Sequence, residues 1–309
     1  MLNILFAAPK DWPQYEKLLP AALRARGLDA RIVTEAEDPA SIDYIIYAPS
    51  APLQDFAPFT RTKAVLSLWA GVERIVGNQS LSQPLCRMVD PSLREGMVEW
   101  VLGHVLRHHL GMDAHIVNPD HLWRPAAPPL ARERQIALLG LGELGQAVAE
   151  ALLALNFKVS GWSRSAKTLA GVECHHGEAG LARVLAGAEI LVTLLPRTPA
   201  TEDILNAKTL ALLPRGAVIL NPGRGALIEE EALLAALACG QIGHATLDVF
   251  KTEPLPQDHP FWQHPKVTIT PHIAAATRPA TATEVVVENI ARAEAGAPLL
   301  HLVDRSRGY

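Results

Sequence analysis

Residues 136–164 read IALLGLGELGQAVAEALLALNFKVSGWSR, and this stretch decides the fold. The apolar run at 136–139 has the composition of a strand buried on both faces. It runs directly into Gly140-Leu141-Gly142-Glu143-Leu144-Gly145, a G-x-G-x-x-G turn. Such a turn is a weak signal when it stands alone. Here an Ala- and Leu-rich helix over 146–155 follows, then a second β-rich run at 157–162, so the unit is a complete strand, turn, helix and strand. Each glycine has a mechanical task. Gly140 permits the tight turn, Gly142 lets a pyrophosphate approach the backbone, and Gly145 lets the helix lie close on the strand. The unpaired N–H groups that open the helix face the phosphates, where the helix dipole also favours negative charge. The bland alternative is an ordinary glycine-rich turn of a parallel α/β protein.

The end of the second strand indicates which dinucleotide. An NAD site carries an Asp or Glu about 20 residues past the glycines to accept the ribose hydroxyls. This chain has Ser163-Arg164-Ser165 there, with Lys167 close behind. A carboxylate would repel a 2′-phosphate, whereas Arg and Ser hydrogen-bond it and Lys adds a mobile charge, so NADP(H) is the expected cofactor. The competing reading makes Arg164 and Lys167 solvated surface charges.

Outward from this unit the βα alternation continues in both directions. Strands are expected at 3–8, 30–34, 44–48, 64–69 and 85–89, with a helix over 15–26. A long helix over 95–110 and a Pro-rich connector at 119–129 follow. Further strands are expected near Ile136, Val159, Ile190, Ala217, Ala245 and Val267, and a last helix over 279–295. This pattern demands parallel sheets with helices on both faces. The expected architecture is α/β with two open doubly wound parallel-sheet domains. A Rossmann cofactor domain at 94–273 is inserted in a flavodoxin-like substrate domain formed by 1–93 and 274–309, with the final helix returning to cover the first domain.

With 309 residues, 49% hydrophobic and 19% charged, the chain is long enough for two cored domains and too apolar for disorder. A formal net charge of −4, with basic residues scattered, leaves no footprint for nucleic acid. No segment approaches the ~20 apolar residues that span a bilayer, so no membrane partner is expected. The N-terminal MLNILF resembles a first core strand and lacks the features of a signal peptide, so the expected location is cytoplasmic. Cys86, Cys174 and Cys239 are odd in number and far apart, which suggests neither a disulfide framework nor a zinc site. His104 and His108 share a helix face at i, i+4 with His109 adjacent, but no third ligand is evident in the sequence and no metal is expected.

Ligands of open α/β sheets sit beyond the carboxyl ends of the strands, so polar residues just after strands are the candidates for chemistry. Three stand out: Arg224 in NPGRG, Glu253 in DVFKTEP and His272 in TPHI. Delivering hydride to a ketone needs a proton donor for the developing alkoxide and a cation for a neighbouring carboxylate. His272 suits the acid, Glu253 its orientation through the other ring nitrogen, and Arg224 a paired grip on the carboxylate. Taken singly, each also reads as a turn residue, a solvated acid or a capping Arg.

These segments together resemble the D-isomer-specific 2-hydroxyacid dehydrogenases, closest to the glyoxylate/hydroxypyruvate reductase branch. The shared motifs are GLGELG, WSRS, LLPRTPAT at 194–201, NPGRGALI, LDVFKTEPLP, ITPHIAAATRP and the terminal VDRSRGY. The resemblance implies that Arg224, Glu253 and His272 are the catalytic trio. It also implies that Trp69-Ala70-Gly71-Val72 offers backbone N–H groups to the substrate carboxylate. By the same resemblance Asp248 holds the nicotinamide carboxamide, and Pro196-Arg197-Thr198 borders the adenine. Trp69 stands where the reductase branch usually has glycine, which would narrow the carboxylate loop or add an aromatic wall and leaves the substrate size open. The activity implied is NADPH-dependent reduction of a small 2-ketoacid to the D-2-hydroxyacid, by a homodimer paired through its cofactor domains. An NAD-linked dehydrogenase working oxidatively conflicts with Ser163-Arg164. A cofactor-sensing interaction protein on the same fold finds no basic patch or tail to support it.

Overall fold

The structure, a computed structural model, describes residues 1–123 and 125–305. The last four residues of the VDRSRGY motif, 306–309, lie outside the described residues. The chain divides into two compact units, Met1–Leu93 with Ala276–Tyr309, and Arg94–Ala275. The return point falls two residues later than the 273/274 boundary read from sequence. Ala274 and Ala275 pack into the core of the second unit, and the Ala274 N–H is held there by Asp248.

The first unit is built on a five-stranded sheet of β1 (Leu2–Phe6), β2 (Ala30–Val33), β3 (Tyr44–Tyr47), β4 (Ala64–Ser67) and β5 (Leu85–Cys86). All neighbours run parallel in the order β2-β1-β3-β4-β5, which is the flavodoxin-like order. Alternate residues of each strand enter two separate cores. Ile4, Phe6, Tyr44 and Ile46 face the helices Leu18–Ala25 and Pro279–Glu294, while Leu5, Ile45, Tyr47 and Val65 face Phe56, Phe59 and Ile75. Burial on both faces explains why these strands read as unbroken apolar runs. The final helix thus covers the first sheet, as expected. The single helix expected over 15–26 is broken into Trp12–Tyr15 and Leu18–Ala25. Pro20, in the first turn of the second helix, has no N–H to give to the carbonyl of residue 16, so the helical ladder is interrupted at residues 16–17 and restarts at Leu18.

The second unit carries β6 (Gln135–Leu139), β7 (Lys158–Ser163), β8 (Val172–His176), β9 (Ile190–Thr193), β10 (Ala217–Asn221), β11 (Ile242–Leu247) and β12 (Val267–Ile269). Its order is β12-β11-β10-β9-β6-β7-β8, parallel throughout. Ile136 and Leu138 of β6 pack with Val101 and Val105 of the helix Pro91–His109 and with Val148 and Leu152 of the helix Glu143–Ala154. Ala137 and Leu139 pack on the opposite face with Val184, Leu185, Leu233 and Leu237. Strand β8 was not expected from sequence. It is an edge strand reading Val-Glu-Cys-His-His, too polar to carry a buried-strand signal. Among the described residues, no helix is long and apolar enough to cross a membrane.

Candidate active site

Strand order reverses between β6 and β9, the neighbours on which the sheet is wound in opposite directions, and a crevice at such a switch point is where open α/β sheets take ligands. The glycine turn sits there. Gly140 has φ +110°, and a Cβ on it would lie 2.6 Å from the Leu194 carbonyl oxygen of the segment after β9. A Cβ on Gly145 would lie 2.0 Å from the Gly140 carbonyl oxygen, so only glycine lets the helix start this close to the strand. Gly142 differs from both. A Cβ there would meet nothing within 4 Å, so the protein itself does not require glycine at this position. Gly142 is also the N-cap of the helix Glu143–Ala154 and supplies no side chain to cap it. Open space against uncapped helix N–H groups is the cradle that a pyrophosphate fits, with Glu143 and Leu144 forming the first turn behind it.

The residues read as the 2′-phosphate site are gathered beside this turn. Ser163 ends β7 and its Oγ donates to the Ser165 carbonyl at 2.8 Å, which folds the Ser-Arg-Ser loop on itself. Lys167 Nζ donates to the Leu141 carbonyl at 2.7 Å, tying the loop to the glycine turn. Arg164 is exposed between them. On the other side of β6, the loop after β9 is shaped by Thr201. Its hydroxyl donates to the Pro196 carbonyl at 2.6 Å and accepts the Thr198 N–H at 2.9 Å, while Arg197 pairs with Glu202 at 2.9 Å. No acidic residue stands at the end of β7, so the side chains present fit a phosphorylated ribose better than a bare one.

Glu253 and His272 are brought into contact. His272 Nδ1 and Glu253 Oε2 lie 2.7 Å apart, and Glu253 Oε1 accepts the Phe250 N–H at 2.9 Å. One carboxylate oxygen is thus held by the backbone and the other holds the imidazole at Nδ1, which leaves Nε2 as the ring nitrogen that can exchange a proton with a ligand. His272 has φ +55°, a left-handed conformation uncommon for any residue with a Cβ. It is held there from both sides, because its N–H donates to the Asp248 carbonyl at 2.8 Å and the next two N–H groups, of Ile273 and Ala274, reach the Asp248 carboxylate at 2.9 Å each. Backbone held in a sparsely populated region by surrounding bonds is a mark of functional positioning.

Asp248, read as a nicotinamide contact, is only 1% exposed. Its Oδ1 accepts from Thr270 Oγ1 at 2.5 Å and from Ile273, and its Oδ2 accepts from Ala274. What it holds in this structure is the turn that carries His272; Oδ2, with one donor, keeps acceptor capacity for another. Arg224 approaches the same region through its backbone. Gly225 lies so close to Phe250 that a Cβ would fall 1.9 Å from the Phe250 carbonyl carbon, which sets the NPGRG turn against the segment leading to Glu253. Asn221, 1% exposed, braces that turn: Oδ1 accepts from Thr193 Oγ1 at 2.6 Å and from the Gly223 N–H at 3.2 Å, and Nδ2 donates to the Arg224 carbonyl at 3.0 Å.

Trp69, Ala70, Gly71 and Val72 belong to the first unit, just beyond β4. Ser67 Oγ accepts the Trp69 N–H at 3.1 Å, and the Trp69 carbonyl accepts the Met88 N–H at 3.0 Å, so the start of the loop is fixed by its own strand neighbours. The Trp69 ring is 42% exposed while Val72 is buried at 2%, which anchors one end of the loop and leaves the other on the surface.

Sequence reasoning missed Thr193, Asn221 as a brace, Trp100 and Thr270. Trp100 Nε1 donates to Thr270 Oγ1 at 3.2 Å, and that hydroxyl in turn donates a hydrogen bond to Asp248 Oδ1. Thr270 could have been noticed inside ITPHI. Trp100 could not, since it lies 170 positions earlier on a helix.

Comparison with known proteins identifies the family. The D-isomer specific 2-hydroxyacid dehydrogenase, NAD binding domain family matches residues 101–274. A glyoxylate/hydroxypyruvate reductase A from Serratia proteamaculans is 42% identical over 276 residues, covering 86% of this chain and 88% of that protein. A D-isomer specific 2-hydroxyacid dehydrogenase from Xanthobacter autotrophicus, solved in complex with NADPH and MES, superimposes with a TM-score of 0.91 at 40% identity, covering 100% of this chain and 99% of that one. An NADPH-dependent glyoxylate/hydroxypyruvate reductase from Sinorhizobium meliloti, solved with NADP and sulfate, has a TM-score of 0.84 at 35% identity, with 100% and 99% covered. The chain belongs to the D-isomer specific 2-hydroxyacid dehydrogenase family.

Proposed function

We infer that this chain is an NADPH-dependent reductase that converts a small 2-ketoacid of the glyoxylate or hydroxypyruvate kind into the D-2-hydroxyacid. The single observation that carries the reading is the Glu253–His272 pair, 2.7 Å apart, in the unit that also holds the glycine turn and the Ser163–Lys167 loop. Bound NADPH supplies the hydride for the keto carbon. The protein supplies the rest. Gly140, Gly142 and Gly145 with the helix behind them receive the pyrophosphate, and Ser163, Arg164, Ser165 and Lys167 receive the 2′-phosphate.

At the substrate, His272 Nε2 gives its proton to the oxygen that becomes the hydroxyl. Glu253 stays ionised on Nδ1 and stabilises the imidazolium before the transfer. Arg224 grips the carboxylate and polarises the carbonyl with paired N–H bonds, and the backbone N–H groups of Ala70, Gly71 and Val72 are the further donors that the family resemblance assigns to the carboxylate. Asp248 Oδ2 accepts from the carboxamide while its other bonds hold the His272 turn. Initial rates with NADPH and NADH across glyoxylate, hydroxypyruvate, pyruvate and bulkier 2-ketoacids test the assignment; turnover with NADH alone, or none with any ketoacid, removes it.

The working unit is a homodimer paired through the cofactor domain. In support, the segment after the long helix exposes Ile116, Val117, Leu122 and Trp123 at 73%, 71%, 54% and 92%, an apolar run that a second copy would cover. Sedimentation of the wild type and of Trp123→Glu tests this, with a monomeric wild type as the contrary result. Cys86, Cys174 and Cys239 are free thiols, which suits the cytoplasm expected of such an enzyme.

A further inference from the structure

The sequence offers His108 no obvious third ligand, but the fold brings two more side chains to it. His108 on the last turn of the helix Pro91–His109, His244 on β11 and Asp113 at the start of the short helix Asp113–Ile116 place one ligand-type atom each within 4.8 Å of one another. The two rings lie 4.8 Å apart between centroids. The site is separate from the strand-end chemistry: His244 lies near the start of β11, whereas Asp248 follows the strand's end.

Both imidazoles are already oriented. His108 Nε2 lies 3.0 Å from Thr246 Oγ1, and His244 Nε2 lies 2.9 Å from Thr268 Oγ1. Thr246 and Thr268 are register partners on β11 and β12, so the two hydroxyls stand side by side on one face of the sheet. With Nε2 of each ring engaged, Nδ1 is the nitrogen left for a ligand. A hydroxyl on the far nitrogen of each histidine is the outer-shell arrangement that fixes metal-binding rings. Asp113 is oriented as well, because Arg107 Nε donates to its Oδ1 at 2.6 Å and leaves Oδ2 to turn toward the histidines.

Ligand atoms on a tetrahedral zinc ion with bonds of about 2.0–2.2 Å lie roughly 3.3 Å apart, so the set must close by about 1.5 Å. Asp113, 45% exposed on a helix of four residues, is the side chain placed to make that movement, pivoting about or giving up its bond to Arg107.

We propose that His108, His244 and Asp113 form a three-ligand site for a divalent cation of the zinc, cobalt or nickel class. Two imidazole nitrogens and one carboxylate oxygen select such borderline ions over magnesium or calcium, which prefer oxygen throughout. The positive charge of Arg107 opposes the ion, so the expected affinity is on the order of micromolar, below that of a closed structural zinc site. Bound metal would staple the end of the long helix to β11 at the root of the exposed segment that carries Ile116 and Trp123.

The test uses the tag-free, chelator-stripped full chain titrated with Co²⁺, whose visible d–d absorption reports nitrogen and oxygen ligation, with Zn²⁺ added in competition. One Co²⁺ per chain should saturate the wild type and be displaced by Zn²⁺. His108→Gln, His244→Gln and Asp113→Asn should each weaken binding tenfold or more. Asp113→Asn alters an exposed residue and keeps the test valid even where a histidine variant folds poorly. A wild type with no saturable absorption, or any one of the three variants binding with wild-type affinity, overturns the site. The readout is metal binding itself and does not depend on the reductase reading.

Discussion

Asp248 holds His272 by its backbone and its side chain at once. Its carbonyl accepts the His272 N–H at 2.8 Å, and its carboxylate accepts the N–H groups of Ile273 and Ala274. The imidazole is thus placed by a buried acid that never touches it, with Trp100 and Thr270 completing the chain of donors.

Asp248→Asn should expose the value of this clamp. The amide NH₂ must face at least one N–H that then finds no acceptor, so about 1–3 kcal/mol of stability is lost and the His272 turn loosens. We expect kcat/KM for glyoxylate to fall at least tenfold together with a lower melting temperature. Thr270→Val should follow in the same direction, and Thr270→Ser, which keeps the hydroxyl, should recover most of the loss. Equal kinetics in Val and Ser variants would show that the hydroxyl does not matter.

The glycines of the turn separate protein needs from cofactor needs. Gly145→Ala puts a Cβ 2.0 Å from the Gly140 oxygen and should damage the fold itself. Gly142→Ala meets nothing within 4 Å, so its melting temperature should stay within a degree or two of wild type. If the pyrophosphate lies against Gly142, the same variant should bind NADPH at least tenfold more weakly by fluorescence titration. Wild-type affinity in Gly142→Ala would move the cofactor elsewhere.

Cofactor choice rests on the loop after β7. Removing the Arg164 guanidinium in Arg164→Ala should raise KM for NADPH tenfold or more, the cost of a charge-assisted phosphate contact, and leave the slow NADH reaction unchanged. A parallel loss with both cofactors would mean that Arg164 serves the loop and not the 2′-phosphate.

In the first unit, Tyr44 Oη donates to Glu294 Oε1 at 2.5 Å, joining the sheet to the final helix, and Lys63 Nζ reaches the same oxygen at 2.6 Å. Burial alone would raise the Glu294 carboxyl, but the hydrogen bonds from Lys63 and Tyr44 outweigh it and hold the group below its usual 4.5. A carboxyl lowered by folding binds fewer protons in the folded chain than in the unfolded one. Its stabilisation is therefore complete above about pH 4.5 and fades as pH falls through the folded value. Tyr44→Phe should cost about 1 kcal/mol in urea melts at pH 7, with the gap narrowing at pH 4. A gap of constant size would place its origin in packing.

Much of this was legible before any coordinates. Parallel strands buried on both faces announce themselves as apolar runs, and the glycine turn states its own geometry, so β6, β7 and the cofactor crevice were readable from residues 136–164. Arg224, Glu253 and His272 were expected as a trio because each follows a strand, and the structure brings Glu253 and His272 of that set into contact. What escaped was tertiary. The polar edge strand β8 lacks an apolar pattern, and the helix break at residues 16–17 turns on the one N–H that Pro20 lacks. The Trp100–Thr270–Asp248 chain and the meeting of His108, His244 and Asp113 join side chains far apart in sequence, and no local pattern records such meetings.

The most direct test is the turnover of His272→Gln under saturating NADPH and glyoxylate, followed by loss of NADPH absorbance. Glutamine keeps the polar contact with Glu253 but cannot give and retake a proton, so kcat should fall by about 10² or more while NADPH affinity stays near wild type. A variant that turns over glyoxylate at the wild-type rate would contradict the assignment of His272 as the acid, and with it the proposed mechanism.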